Sequence, residues 1–317
     1  MKPHAVVTFL NVGWGDAHLI RLPSGLTTLI DGGDGSPTAG ASGRPLDWMD
    51  RHGVNRLDWM ILTHIHEDHL NGLIDIARHR EVARAVLPYE LPSFAADAKE
   101  SMTSPLAARV LGMLSAYAEL IRLLTEQRTD IRWRARYGAD SHSVLWEEDG
   151  YALAHLYPWQ DDPLPGLETL TAVAARLREG DDANECLTDI EAFFALSNDD
   201  SSVYRLTYAE EPFEGVLFGG DQLKDGWGRI ARRTNLKSKV LKAPHHGLED
   251  GLDAELLAVV DPAACVVPIC RERSLPLRER WDRLRAGSGA SFRLTGDIVP
   301  GDRERLTDGP IETWIDC

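Results

Sequence analysis

Three histidines and an aspartate stand close together in the run His64-Ile65-His66-Glu67-Asp68-His69. Neutral imidazoles and carboxylates are together ligands for zinc, iron or manganese. The run follows Asp58-Trp59-Met60-Ile61-Leu62, which reads as a buried strand, and Asp68 onward reads as the start of a helix. Alternate side chains of a strand share a face, so His64 and His66 can point the same way. Asp68 and His69 can then face the same cavity from the turn into the helix. A polar loop seldom carries three histidines in this context, so the run reads as a metal site.

The elements that must position this run are legible on either side of it. Residues 5–12 read as a strand that passes into the turn glycines Gly13 and Gly15. Residues 17–21 and 26–31 read as a hairpin pair around Pro23-Ser24-Gly25, and 45–53 as a helix. From about 95 to 195 the pattern changes. Leu106, Val110, Leu111, Leu114, Leu120, Leu123 and Leu124 recur at helical spacing over 104–127. Strands at 131–137 and 151–157 and helices near 166–178 and 186–195 complete a largely helical insertion. No Pro/Gly/Ser linker isolates it, so residues 1–317 read as one domain. After 200, strands are expected at 202–208, 215–219, 238–242, 264–269, 291–295 and 311–315, with helices near 252–260 and 276–286.

The pattern His-x-His-x-Asp-His at a strand end resembles the main signature of the metallo-β-lactamase superfamily. That resemblance implies an α/β fold, an αββα sandwich of two mixed sheets with outer helices, and two divalent metal ions at one edge. Later strings come in the family's order. Leu217-Phe218-Gly219-Gly220-Asp221 resembles the strand ending in the metal-bridging aspartate. Val240-Leu241-Lys242-Ala243-Pro244-His245-His246-Gly247 resembles the late strand that ends in a metal-binding histidine. Four strings look like the hydrolase domain of the competence protein ComEC, a branch shared with phosphorylcholine esterases. They are Phe9-Leu10-Asn11-Val12-Gly13-Trp14-Gly15-Asp16-Ala17, Leu29-Ile30-Asp31-Gly32-Gly33, Asn198-Asp199-Asp200-Ser201-Ser202-Val203 and the His-His-Gly string. The likeness covers roughly 1–90 and 196–317 and leaves the insertion out.

The resemblance implies a ligand set. One metal falls to His64 and His66, aided by Asn198 or, alternatively, Asp200. The other falls to Asp68, His69 and His245, and Asp221 bridges the two. His245 is preferred to His246 because it comes first after the strand. The remaining histidine, His246, is left to contact the reacting group, and Asp68 and His246 are the catalytic candidates. Asp16 and Asp31 either orient ligating histidines or cap their glycine turns. Two departures stand out. No histidine lies between His155 and His245, where the superfamily often has one, and Leu275-Pro276 stands where this branch often has His-Pro. His4, His18, His52, His79, His142 and His155 stand alone and read as surface or satisfied core histidines.

Composition bounds the partners. The chain carries 34 Lys and Arg against 50 Asp and Glu, a net charge of -16, which opposes wide electrostatic binding to nucleic acid. Two stretches run against that balance. Lys224, Arg229, Arg232, Arg233, Lys237, Lys239 and Lys242 fall between Asp221 and His245, and Arg132-Trp133-Arg134-Ala135-Arg136 alternates charge. Either could reach a phosphate, or be a solvated surface. Cys186, Cys265, Cys270 and Cys317 form no CxxC pair, which suits a reducing compartment. The N-terminus lacks a signal-peptide pattern, and no stretch approaches the roughly 18 apolar residues of a membrane span. The expectation is a cytoplasmic protein with no membrane association.

Two cations, zinc or manganese, lower the pKa of a bridging water and give a hydroxide for attack on phosphorus or a carbonyl carbon. The leading expectation is a phosphodiesterase or nuclease, with DNA or RNA as the candidate substrate. The alternatives are a hydrolase of a small ester, lactone or phosphoester, and a partner-controlled module that docks another protein through the 95–195 insertion.

Overall fold

In β1 (Ala5–Leu10), Val7 and Phe9 turn to one side and Leu10 to the other, and all three are buried. A strand apolar on both faces must be covered on both. The computed structural model describes residues 4–35, 43–92, 103–134 and 143–317 and shows how the covering is done. After β1 come β2 (His18–Arg21), β3 (Thr27–Ile30), β4 (Arg56–Ile61), β5 (Glu81–Leu87) and β6 (Asp130–Trp133). Then come β7 (Ser143–Glu148), β8 (Tyr151–Tyr157), β9 (Val203–Tyr208), β10 (Glu211–Phe218) and β11 (Val240–Lys242). The last are β12 (Ala264–Val267), β13 (Ser291–Leu294), β14 (Arg303–Thr307) and β15 (Ile311–Asp316).

The first sheet runs β14-β15-β1-β2-β3-β4-β5-β6 and the second β13-β12-β11-β10-β9-β8-β7. Both are mixed. β3 to β6 pair in parallel, as do β10 to β13, whereas β1, β2 and β3 pair antiparallel, as do β7 to β10. Ile30, Trp59 and Ile61 of the first sheet share one core with Leu206, Val216 and Phe218 of the second, so the sheets lie face to face.

Helices cover the outer faces. Over the first sheet lie α1 (Pro45–Arg51), α2 (Glu67–His79), α3 (Pro105–Glu126), α4 (Pro165–Glu179) and α5 (Leu187–Asp199). Over the second lie α6 (Lys224–Arg233), α7 (Ala254–Val260) and, past the short α8 (Arg271–Ser274), α9 (Arg278–Ser288). The expected αββα sandwich of two mixed sheets with outer helices is the observed architecture.

The 95–195 stretch is more than helical. Residues 93–102 and 135–142 lie outside the described residues, and with them the end of the strand expected at 131–137, His142 and Arg136. The rest supplies α3, α4 and most of α5, and also three strands. β6 closes an edge of the first sheet, and β7 and β8 close an edge of the second. Among the described residues no helix is long and apolar enough to cross a membrane. None of the four cysteines is in a disulfide.

Candidate metal centre

Five strand ends, those of β1, β3, β4, β10 and β11, deliver side chains to one edge of the sandwich. After β4 the chain turns through Thr63 to His66 and enters α2, whose first turn carries Glu67 and Asp68 against the helix dipole. Asp31, just past β3, ties this turn down. Its carboxylate accepts from the Thr63 amide and hydroxyl, each at 2.8 Å, and lies 2.9 Å from His69 Nδ1. A carboxylate on Nδ1 fixes the ring and leaves Nε2 to face the centre. The turn after β1 also grips α2. The Asp16 amide donates to the Asp68 carbonyl at 3.1 Å, and a side chain at Gly15 would run into that carbonyl.

From the second sheet, β10 ends in Gly219-Gly220-Asp221. Gly220 has φ +49, and a Cβ there would strike the Ser201 hydroxyl that accepts from the Asp221 amide at 2.8 Å. Three imidazoles then converge on one oxygen. His69 Nε2 and His246 Nε2 each lie 3.3 Å from Asp221 Oδ2, and His64 Nε2 lies 3.9 Å from it. The other oxygen, Oδ1, faces Lys242 Nζ at 3.5 Å. Lys242 shares the inward face of β11 with Val240 by strand period. It is fully buried, donates to the Gly220 carbonyl at 2.7 Å and pairs with Asp16.

Of the two adjacent histidines, the structure turns His246 toward the centre rather than the expected His245. His246 is buried, with Nδ1 2.9 Å from the Pro268 carbonyl and Nε2 3.1 Å from Asp68 Oδ2. His245 instead turns Nδ1 to Asp250 at 2.7 Å and Nε2 toward Asn198 at 3.4 Å. Both residues sit in the left-handed region, at φ 46 and 49. That turn breaks strand alternation, so order after the strand does not tell which ring faces inward.

The other expected residues divide clearly. His66 stands with His64 and Asp221 in a group able to hold a metal ion, its Nε2 2.6 Å from the Phe194 carbonyl and its ring stacked on Phe194. Asn198, at the end of α5, lines the cleft and has a buried Oδ1 with no hydrogen-bond partner. Asp200 faces away and caps α4, accepting from the Gly166 and Leu167 amides at 3.1 and 2.9 Å. Burial, opposed by Arg134, pushes its carboxyl up to about 6. Leu275 is 61% exposed and does not line the cleft. His18 is buried, 3.5 Å from Asp16.

Only Lys242 of the basic segment enters the site. Lys224, Arg233, Lys237 and Lys239 pair with carboxylates elsewhere, and Arg229 reaches the Tyr157 hydroxyl. Arg134 is buried and donates to the Asp200 carbonyl, while Arg132 pairs with Asp130.

The centre holds an excess of buried negative charge. Burial pushes the His64 and His66 imidazoles below their ordinary value. Burial opposes charge on His69 and His246 too, but Asp221 and the carboxylates beside it outweigh that. They raise His69 well above its ordinary value and His246 to about 10. Against the same burial, His69 and His246 hold the Asp68 and Asp221 carboxyls well below the usual range, and Lys242 leads in holding Asp16 at about 2. This excess of buried carboxylate charge suits divalent cations. His64 Nε2 and His69 Nε2 are buried with no hydrogen-bond partner, which fits a cation between them and Asp221.

A cleft of about 580 Å³ opens above Asp68, Asp221 and His246, walled by Trp14 with Arg273 and by Phe194 with Arg109. The sequence reading missed these wall residues. Trp14 falls in the string after β1 without being singled out there, and Arg109, Phe194 and Arg273 come from separate segments with no motif.

The family described as the Metallo-beta-lactamase superfamily matches residues 11–270. No curated protein matches the chain. Among solved structures the chain is similar to a diphosphatase from the PhnP family, with 14% identity and a TM-score of 0.42, covering 88% of this chain and 80% of that one. It is similar to a HARLDQ-motif mutant of the metallo-beta-lactamase from Cronobacter sakazakii, with 12% identity, a TM-score of 0.39 and coverage of 88% and 94%. It is also similar to Zn(2+)-bound PqqB from Methylobacterium extorquens, with 8% identity, a TM-score of 0.37 and coverage of 89% and 84%.

Proposed function

This chain belongs to the metallo-beta-lactamase superfamily, and from that premise we propose that it hydrolyses phosphodiesters at a centre for two divalent metal ions. The observation that carries the reading is the division of Asp221. Three imidazole Nε2 atoms gather on Oδ2, while Oδ1 faces a buried lysine at 3.5 Å. A carboxylate so placed would suit a ligand shared by divalent cations held with these imidazoles.

His64, His66 and Asp221 would hold one ion, with Asn198 Oδ1 beside them. Asp68, His69, His246 and Asp221 would hold the other. Asp16 also lies within ligand distance of His69, Asp221 and His246. We assign it a supporting role, because it is fully buried behind the site, paired with Lys242. Two such ions, zinc or manganese, supply a water acidic enough to ionise near neutral pH and polarise the scissile phosphoryl oxygen. The chain contributes fixed geometry. Asp31 and Thr63 hold His69, Ser201 holds the Asp221 backbone, and Phe194 holds His66. His245, at the cleft beside Asn198, is left to contact the substrate.

The strings that resemble the ComEC hydrolase domain favour a phosphodiester, as do the guanidinium groups at the cleft. A net charge of -16, with most lysines of the basic segment already paired with carboxylates, favours a short or small phosphodiester over a long duplex. The cysteine usage suits a reducing compartment, and we place the protein in the cytoplasm. The test is metal analysis of purified protein, then assay of bis(p-nitrophenyl) phosphate and a short oligonucleotide with zinc and with manganese. Two ions per chain and metal-dependent cleavage of either substrate are expected. Cleavage of p-nitrophenyl acetate without cleavage of either phosphodiester would overturn the reading.

A further inference from the structure

Two guanidinium groups stand at the cleft, and their surroundings differ. Arg109 is held by Glu67 through contacts of 2.8, 3.0 and 2.6 Å, and lies 4.6 Å from the centre of the Phe194 ring. Arg273, on the opposite wall, lies 4.0 Å from the centre of the Trp14 ring. Among the described residues no carboxylate pairs with it and no protein acceptor takes its N–H groups. A guanidinium lying over a ring keeps its edge donors available, in a fork that matches the oxygens of a phosphate.

The position is built into the fold. Arg273 belongs to α8, where the Ser274 hydroxyl donates to the Arg271 carbonyl at 2.7 Å. Gly296 packs against this turn so closely that a side chain there would meet the Arg271 amide. Trp14, its platform, also contacts His246, with ring centres 4.4 Å apart, and His246 reaches Asp221. Arg273 therefore stands beside the centre but off it, with two side chains, Trp14 and His246, between it and Asp221.

We propose that Arg273 on Trp14 forms a second anion-binding position at the cleft, one that selects phosphodiesters carrying a further phosphate next to the scissile one. This rests on the phosphodiesterase reading, in which Asp221 and its partners engage the scissile phosphate and leave Arg273 for the neighbour. A phosphate there meets a cation that no carboxylate among the described residues pairs with, whereas one at Arg109 must compete with Glu67.

The experiment is a calorimetric titration of zinc-loaded protein with thymidine 3′-monophosphate and with thymidine 3′,5′-bisphosphate, for wild type, Arg273→Gln, Arg273→Lys and Trp14→Phe. Wild type should bind the bisphosphate about tenfold more tightly, the size of one charge-assisted contact. Arg273→Gln should erase that preference and leave monophosphate binding unchanged, while Arg273→Lys should keep part of it. Trp14→Phe should keep most of it, because a ring remains. Equal wild-type affinities, or a preference that survives Arg273→Gln, would overturn the proposal. Arg273 is exposed, so the variants should fold, and matched melting curves check this. The two readings fail separately. The binding preference without phosphodiester cleavage sinks the activity and keeps the anion position; cleavage without the preference does the reverse.

Discussion

At the floor of the cleft, Lys242 lies fully buried between Asp16 and Asp221; at its walls, Arg273 is exposed over Trp14 and Arg109 faces Glu67 with about half of its side chain in water. The floor cation has one arrangement open to it. Its partners are desolvated, Coulomb attraction there is strong, and an unmatched charge is costly. The wall cations sit in a medium that screens them, so they can change partners cheaply. On the proposed reading, one site thus combines a rigid layer that would fix the metals with an adaptable layer that would choose the substrate.

The largest effect should come from the floor itself. Asp221→Ala removes the oxygen on which three imidazoles converge, and His246→Ala removes one of the three. Each should cut kcat/KM for bis(p-nitrophenyl) phosphate by about a thousandfold, several kcal/mol of transition-state stabilisation. Each should also leave fewer than two bound metals on elemental analysis. His245→Ala, in contrast, should cost less than about tenfold, since that ring faces Asp250 and Asn198. The reverse order for the two histidines would undo the assignment of the centre.

Lys242→Met tests whether the floor is held by its cation. In metal-free protein, Asp16 and Asp221 would lose their buried partner, and chemical denaturation should show a loss of about 3–5 kcal/mol. Bound zinc should restore part of it, because added positive charge replaces the lysine. A loss below about 1 kcal/mol, the range of an exposed pair, would mean that floor and wall follow the same rules.

Asp31→Asn separates orientation from ligation. Asp31 touches His69 Nδ1 and Thr63 but does not face the centre. Its loss should weaken zinc binding by about 10–100-fold, read by competition with a chelating dye, with both ions still bound at saturation. Loss of one ion outright would make Asp31 a ligand.

The same division explains what could be read from the sequence. The run from His64 to His69 declared itself because a strand, a turn and a helix start fall within it and each has a known side-chain period. Asp221 was legible for a similar reason, at the glycine-rich end of an apolar strand. Lys242 was visible as a member of a charge run and of the late-strand string but was given no role, although its period-two relation to Val240 turns it inward. His246 was not separable from His245, because a left-handed turn obeys neither period. Trp14, Arg109, Phe194 and Arg273 were missed because tertiary packing alone assembles them. The missed elements follow the same logic. α6 buries little beyond Trp227 and Ile230, and β14 reads Arg-Glu-Arg-Leu-Thr, a charged edge with weak alternation.

The smallest effect is the sharpest test of the wall. Glu67→Gln leaves the metal residues untouched and removes the carboxylate that occupies Arg109. The Arg109–Glu67 pair has side-chain exposures of 52% and 27%, so breaking it should alter stability little. Its consequence should fall on substrate. With Glu67 neutral, Arg109 becomes a second guanidinium open to anions, opposite Arg273. KM for a dinucleotide bearing a terminal phosphate should fall about two- to fivefold at low salt, with kcat nearly unchanged, and the gain should fade as ionic strength rises. A change in kcat instead would place Glu67 among the groups that support the metal centre, and the boundary between floor and wall would have to be redrawn through the first turn of α2.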